Sequence, residues 1–237
     1  MSHMALVKAR TFLRRAGVSR RFINWRRRKG YELALTGAMQ GVIAGGAVVW
    51  DVGANIGTYS LLFADWAGPH GQVYSFEPAK ANIERLRAAV SHRDNIKILP
   101  LGLSNRTRTA GFYEDEHPCG ATFMVAQSAE NANSLVQLTT GDALVEEGTC
   151  RVPNVVKIDI EGHELEALEG MGKTLGLPEC QYVFVEIHFF LHSRQQRDWV
   201  PRKIEDMLER NGFVVHWVDQ SHINAVKKPL ADFAQLS

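Results

Sequence analysis

Two apolar runs in this sequence end in residues able to do chemistry. Lys157-Ile158-Asp159-Ile160-Glu161 closes one, and Glu186-Ile187-His188 closes the other. A strand period of two puts Asp159 and Glu161 on one face, and likewise Glu186 and His188. Carboxylates at the ends of such apolar runs are costly to bury alone, so a functional cluster is expected there. A histidine beside carboxylates suits proton removal: His188 is the first choice of general base, and His163, in the loop after Glu161, the second. Glu186 and Glu161 complete the expected catalytic set. Asp159, Glu186 and His188 could instead give O, O and N ligands to a divalent ion such as Mg2+, although their spacing is no metal signature. Glu164 reads mostly as a helix cap, and Glu161 as partly one.

A second constellation lies earlier, in Asp51-Val52-Gly53-Ala54-Asn55-Ile56-Gly57. A tight turn between strand and helix needs residues that tolerate positive φ and let a ligand approach the backbone. Gly53 and Gly57 do both, Ala54 is small, and asparagine visits the left-handed region more readily than most. The spacing is G-x-N-x-G, whereas a nicotinamide turn is G-x-G-x-x-G with a pyrophosphate on the helix end. A carboxylate at Asp51 repels a pyrophosphate and suits a ligand bearing an ammonium. The helix start at Thr58 and Tyr59 then meets that ligand's carboxylate. Glu77 ends the next apolar run, twenty residues beyond Gly57, where an acid accepts hydrogen bonds from ribose hydroxyls. Leu103 and Ser104 follow the third run and are expected beside a nucleobase, with Asp159 also reaching the bound ligand.

The elements that must position these groups follow from periodicity. Apolar runs at 47–51, 72–76, 96–100, 154–160 and 181–188 read as strands. Helical patterns fall at 58–67, 79–91, 164–175 and 200–211, so strand and helix alternate as in a parallel, doubly wound α/β sheet. Segments 110–113, 122–125 and 135–140 read as extra β structure. The last two runs, 213–218 and 223–226, are expected to form an antiparallel pair at the sheet edge. An acceptor pocket is expected from the 105–135 insert and a 188–200 loop, where Phe189, Phe190, His192 and Trp199 would stack on a substrate.

Composition sets the frame. The 237 residues are 45% hydrophobic and 22% charged, ordinary for a soluble domain. No apolar run approaches the ~18 residues of a membrane span, and no signal peptide is recognisable. Cys119, Cys150 and Cys180 lack paired or metal spacing, which fits a reducing, cytoplasmic setting. The net charge of +1 hides an asymmetry: residues 1–31 hold ten bases and no acid, leaving 17 bases against 26 acids beyond. A basic helical segment over 1–45 and a ligand-binding domain over 46–237 are therefore expected. The basic arm suits an anionic membrane or lipid-linked substrate, the acidic domain itself, or a second subunit in a homodimer; peripheral membrane association would follow from the first. Aromatics are too sparse within it to favour a nucleic acid.

Taken together, the DVGANIG segment (51–57), Phe76-Glu77-Pro78 and the KIDIEGHE segment (157–164) resemble the FkbM family of methyltransferases, over about Tyr31 to His188. That resemblance implies a Rossmann-like class I methyltransferase fold, S-adenosyl-L-methionine as cofactor, and methylation of a hydroxyl on a sugar, glycolipid or other metabolite. Two other readings of the residues stand beside it: an NAD(P)-dependent oxidoreductase on the same sheet, and a nucleic-acid-binding module using the basic arm. His117-Pro118-Cys119-Gly120 lies too early to act as a cytosine-methylating Pro-Cys pair, and Ile160-Glu161-Gly162 stands where amino-methylating enzymes carry a Pro-Pro segment.

Overall fold

The computed structural model describes residues 34–115, 122–125 and 132–229, with backbone alone at 114–115 and 122–125. The chain divides into two compact units at residues 39 and 40. Residues 34–42 are helical, and the rest of the basic arm lies outside the described residues. Among the described residues no helix is long and apolar enough to cross a membrane.

The larger unit begins with β1 (Val48–Val52), α1 (Thr58–Ala67), β2 (Gln72–Phe76), α2 (Lys80–Val90) and β3 (Ile96–Leu99). An insert follows: β4 (Gly102–Leu103), β5 (Arg108–Asp115), β6 (Thr122–Val125) and β7 (Ser134–Thr139), then α3 (Gly141–Glu146). The second half runs β8 (Val155–Ile158), α4 (Glu164–Glu169), α5 (Gly172–Gly176), β9 (Tyr182–Glu186), α6 (Phe189–Arg194), α7 (Val200–Arg210), β10 (Phe213–Trp217) and β11 (His222–Lys227).

Seven strands form the main sheet in the order β10-β11-β9-β8-β1-β2-β3. Neighbours from β9 to β3 are parallel, while β11 is antiparallel to both β9 and β10. The short link between β10 and β11 permits only that antiparallel pairing. This is the mostly parallel α/β sheet with an antiparallel C-terminal edge that the alternating pattern predicts. Strands β1 and β8 are buried along their whole length, as strands covered on both faces must be. Their apolar side chains join Phe76, Leu165, Leu168, Val185 and Ile204 in the main core. The insert folds into a second sheet, β4-β7-β5-β6.

Three local expectations change. The helix expected over 164–175 is two helices, α4 and α5, because Asp142 claims the junction. Its amide donates to the Gly170 carbonyl at 2.9 Å. Its carboxylate accepts from the Lys173 and Thr174 amides at 3.0 and 2.8 Å, capping α5. The 188–200 loop contains a helix, α6, and α3 was not signalled by the sequence.

The sheet sends its chain outward from β1 toward β3, then returns to the other side of β1 with β8. The crevice at this reversal, outside the carboxyl ends of the strands, is where open α/β sheets bind ligands.

Candidate active site

The glycine turn leaves β1 at that crevice. Gly53, Asn55 and Gly57 all have positive φ, at 83°, 51° and 93°, as the turn chemistry predicts. A Cβ on Gly53 would lie 2.0 Å from the Asp159 carbonyl oxygen, so this position must be bare for β1 and β8 to meet. The Gly53 and Ala54 amides both donate to the Phe76 carbonyl at 3.0 Å, tying the turn to the end of β2. Glu77 finishes the work. One carboxylate oxygen accepts from the Asn55 amide at 2.8 Å and the other from the Ala79 amide at 2.9 Å. Burial raises the Glu77 pKa despite those amide bonds.

An open cavity of about 740 Å³, measured to its mouth, runs along these strand ends. Gly53, Asn55, Glu77 and Asn82 line it, Leu103, Phe112 and Leu138 contribute apolar surface, and Asp159, Glu161 and His163 also border it. Asn82, on the first turn of α2, is 3% exposed and was not singled out by sequence. Its amide lies beside the Glu77 carboxyl, and its nitrogen has no hydrogen bond of good geometry within the protein.

Asp51 does not reach this cavity. It is fully buried, and the ammonium read from the sequence as its partner is supplied by the chain itself. Asp51 on β1 and Lys157 on β8 are register partners, with Oδ1 3.3 Å from the Lys157 Nζ. Parallel strands in register point such pairs to one face, which is why the two meet. Ser60 donates to the other Asp51 oxygen at 2.6 Å. The Lys157 ammonium also donates to the Gly53 carbonyl at 3.1 Å, lies 3.5 Å from Asp159, and sits 5.3 Å from the centre of the Tyr59 ring. Burial pulls the lysine pKa down, but Asp51 and Asp159 more than reverse this and leave it raised. Of the remaining turn residues, Ala54 and Gly57 are buried in the turn and Thr58 is exposed at the start of α1.

The acid-rich end is organised by Glu164, which is more than a helix cap. Its carboxylate is fully buried and takes the Gly162 amide at 2.8 Å, His188 Nδ1 at 2.6 Å and His192 Nε2 at 3.1 Å. Burial opposes its ionisation, yet these hydrogen bonds hold its pKa down at about 2. His188 responds in the opposite sense: burial lowers its pKa, but Glu164, Glu161 and Asp159 raise it to about 9. Left to the protein alone, His188 therefore keeps its proton at neutral pH and cannot accept another, which works against its reading as the free base. His192, expected on the acceptor face, is instead fully buried behind Glu164.

The cluster read from the two strand ends does assemble. His188 Nε2 lies 3.6 Å from Asp159 and 3.4 Å from Glu161. The ligand atoms of Asp159, Glu186 and His188 all fall within 4.8 Å of one another. Glu161 has a φ of 51°, uncommon for a non-glycine residue, which marks a backbone held in place by its surroundings. Burial raises its pKa, and the Asp159 and Glu186 carboxylates add to the rise. His163 is committed to the protein, with Nε2 3.0 Å from the buried Ser104 hydroxyl, and burial lowers its pKa. Ser104 thus braces His163, while Leu103 faces the cavity. Phe189, Phe190, Trp199 and Trp217 stand exposed, and the Phe189 and Trp217 rings lie 5.9 Å apart.

Residues 51–215 match the family model of the methyltransferase FkbM domain. Hexuronic acid methyltransferase AglP of Haloferax volcanii is 39% identical, over 60% of this chain and 56% of that protein. 31-O-demethyl-FK506 methyltransferase FkbM of Streptomyces tacrolimicus is 31% identical, over 60% of this chain and 66% of that protein. The chain thus spans less than two thirds of the length of these relatives. Among solved structures, a methyltransferase FkbM from Methylobacillus flagellatus superposes with a TM-score of 0.51 at 18% identity, covering 76% of this chain and 43% of that one. Aeropyrum pernix fibrillarin with natively bound S-adenosyl-L-methionine also gives 0.51, at 16% identity, covering 82% and 74%. At those identities the likeness is one of fold, that of class I methyltransferases. The chain belongs to the FkbM methyltransferase family.

Proposed function

We propose that this FkbM-family chain is an S-adenosyl-L-methionine-dependent O-methyltransferase acting on a hydroxyl of a sugar or other hydroxylated metabolite. The observation that carries the reading is the continuity of one cavity, from Glu77 and the glycine turn to Asp159, Glu161 and His163. Glu77 and Asn82 suit two ribose hydroxyls, as acceptor and donor, and Leu103, Phe112 and Leu138 suit an adenine face. Acids line the cavity at Glu77, Asp159 and Glu161, a setting that favours a sulfonium cation and disfavours the pyrophosphate of a nicotinamide cofactor. The names of two relatives point the same way, one acting on a hexuronic acid and the other on 31-O-demethyl-FK506.

Methyl transfer is then an in-line displacement in which the protein contributes mainly alignment. The acceptor oxygen forms a bond to the methyl carbon, the carbon–sulfur bond breaks, and S-adenosylhomocysteine leaves as a neutral thioether. The hydroxyl proton goes to Glu161, whose carboxylate lines the cavity and is not tied into a backbone cap. The exposed aromatic side chains on and beside α6 offer ring faces for an acceptor. The basic arm is assigned to an anionic, lipid-linked acceptor or to a second subunit, and a divalent cation to Asp159, Glu186 and His188.

The test is mass-spectrometric. Incubation with S-adenosyl-L-methionine and a panel of hexuronic acids and neutral glycosides should add one methyl group to an acceptor oxygen. Thermal stabilisation by NAD(P) but not by S-adenosylhomocysteine would overturn the reading.

A further inference from the structure

His188 is held as general bases and metal-bound imidazoles both are, by a carboxylate on its far nitrogen. Its Nδ1 donates to Glu164, a carboxylate with no solvent exposure, at 2.6 Å. That bond fixes the ring's orientation and turns Nε2 toward Asp159 and Glu161. A carboxylate on the far nitrogen is how metal-binding imidazoles are generally aimed and made more basic. Nε2, by contrast, has no tight partner: Glu161 and Asp159 stand 3.4 and 3.6 Å away. Glu186 completes a set whose ligand atoms lie within 4.8 Å of one another. Carboxylates thus converge on this nitrogen without closing on it.

The geometry points to a divalent-cation site formed by Asp159, Glu186 and the Nε2 of His188, selective for a first-row transition ion such as Mn2+ over Mg2+. The imidazole decides the selectivity, because Mg2+ is served by oxygen ligands while nitrogen suits the transition ions. Ligands about 2.1 Å from one ion sit ~3 Å apart in cis positions, so these three side chains need only draw inward. Each is partly exposed, and the contacts of Asp159 with Lys157 at 3.5 Å and of Glu186 with His222 at 3.4 Å are long enough to yield to an ion. Asp159 of this set and Glu161 beside it line the cavity, so the ion would reach an acceptor hydroxyl there, bind its oxygen and lower its pKa. Proton transfer to Glu161 and methyl transfer would otherwise be unchanged. The catalytic use of the ion rests on the methyl-transfer reading; its binding does not.

The experiment therefore measures binding alone. Chelator-stripped protein is titrated with Mn2+ and followed by electron paramagnetic resonance, with spin-echo detection of nitrogen coupling. One ion per chain is expected, with an imidazole nitrogen in its coordination and displacement by Mg2+ only in large excess. Glu186→Gln and Asp159→Asn should each weaken binding, and Glu164→Gln should weaken it by ~10–100-fold through the ring it aims. Circular dichroism and thermal melting of the same variants report whether each remains folded. An absence of Mn2+ binding, binding without nitrogen coupling, or affinities unmoved in the folded variants would overturn the site. Loss of methyl transfer with Mn2+ binding intact would count against the proposed function only.

Discussion

Replacing Lys157 by Met gives the sharpest test of how the site is supported. The ammonium is 3.3 Å from Asp51 Oδ1, and the two side chains are 6% and 0% exposed. Its removal strands a carboxylate that no water reaches and frees the Gly53 carbonyl. Breaking one partner of a buried pair typically costs about 3–5 kcal/mol. The contact with Asp159 adds less than ~1 kcal/mol, because that carboxylate is a third exposed. Asp51→Asn is milder, since Lys157 keeps Asp159 and the Gly53 carbonyl, and the new side-chain amide oxygen can still accept from Ser60. In the double variant the stranded charge is gone. Its loss should fall short of the sum of the single losses by about 2 kcal/mol or more, the coupling expected of residues in direct contact. Urea denaturation at neutral pH of all four proteins measures this directly. Additivity within ~0.5 kcal/mol would refute the pair as a unit. S-adenosylhomocysteine affinity should fall in the single Lys157 variant and stay low in the double variant, because neither restores the hold on the Gly53 carbonyl.

Glu77→Gln should weaken S-adenosylhomocysteine binding by ~10–100-fold, the loss of one hydrogen bond to a charged acceptor, with calorimetry as the check and a change under twofold as the contrary result. Because burial raises the Glu77 pKa, the wild-type carboxyl protonates at a higher pH than an ordinary glutamate, so binding should fall on acidification before pH 4.5 is reached. Cys150 and Cys180 are buried, with thiols pushed up to about 12 by burial. Native protein at pH 8 should therefore leave both unlabelled by a thiol reagent until denaturant is added; rapid labelling of either would contradict the core packing.

The strands and the glycine turn could be read from sequence because their signals are local. A buried parallel strand shows as an apolar run, and three positive-φ positions in five residues leave few choices beyond glycine and asparagine. The strand-end acids were legible for the same reason, since an ionisable group closing an apolar run needs an explanation. What the sequence concealed is pairing over distance. Glu164 read as a cap because its two histidines lie 24 and 28 residues away, and only the packing of α6 delivers them. Their spacing, His188 and His192 one helical turn apart, was an available hint that one acid served both. Asp51 was assigned to a ligand because its true partner lies on a strand more than a hundred residues later. One lone acid in β1 and one lone base in β8, each amid apolar neighbours, is the pattern from which that pair can be inferred.

These two buried ionic groups bear on how the site works. A buried ion pair gains little over an apolar pair of the same volume, so stability alone is a weak reason to keep one. Both, however, hold backbone in or next to the cavity lining. Lys157 grips the carbonyl of Gly53 in the glycine turn and the carboxylate of Asp159 at the end of β8. Glu164 grips the Gly162 amide beside Glu161 and aims His188 at the same carboxylates. An apolar pair would fill the space but hold neither the turn nor the imidazole to the narrow tolerance that in-line transfer demands. The positions of the donor and acceptor ends are thereby set by one polar scaffold behind the cavity wall, and disturbing either ion should shift both ends together.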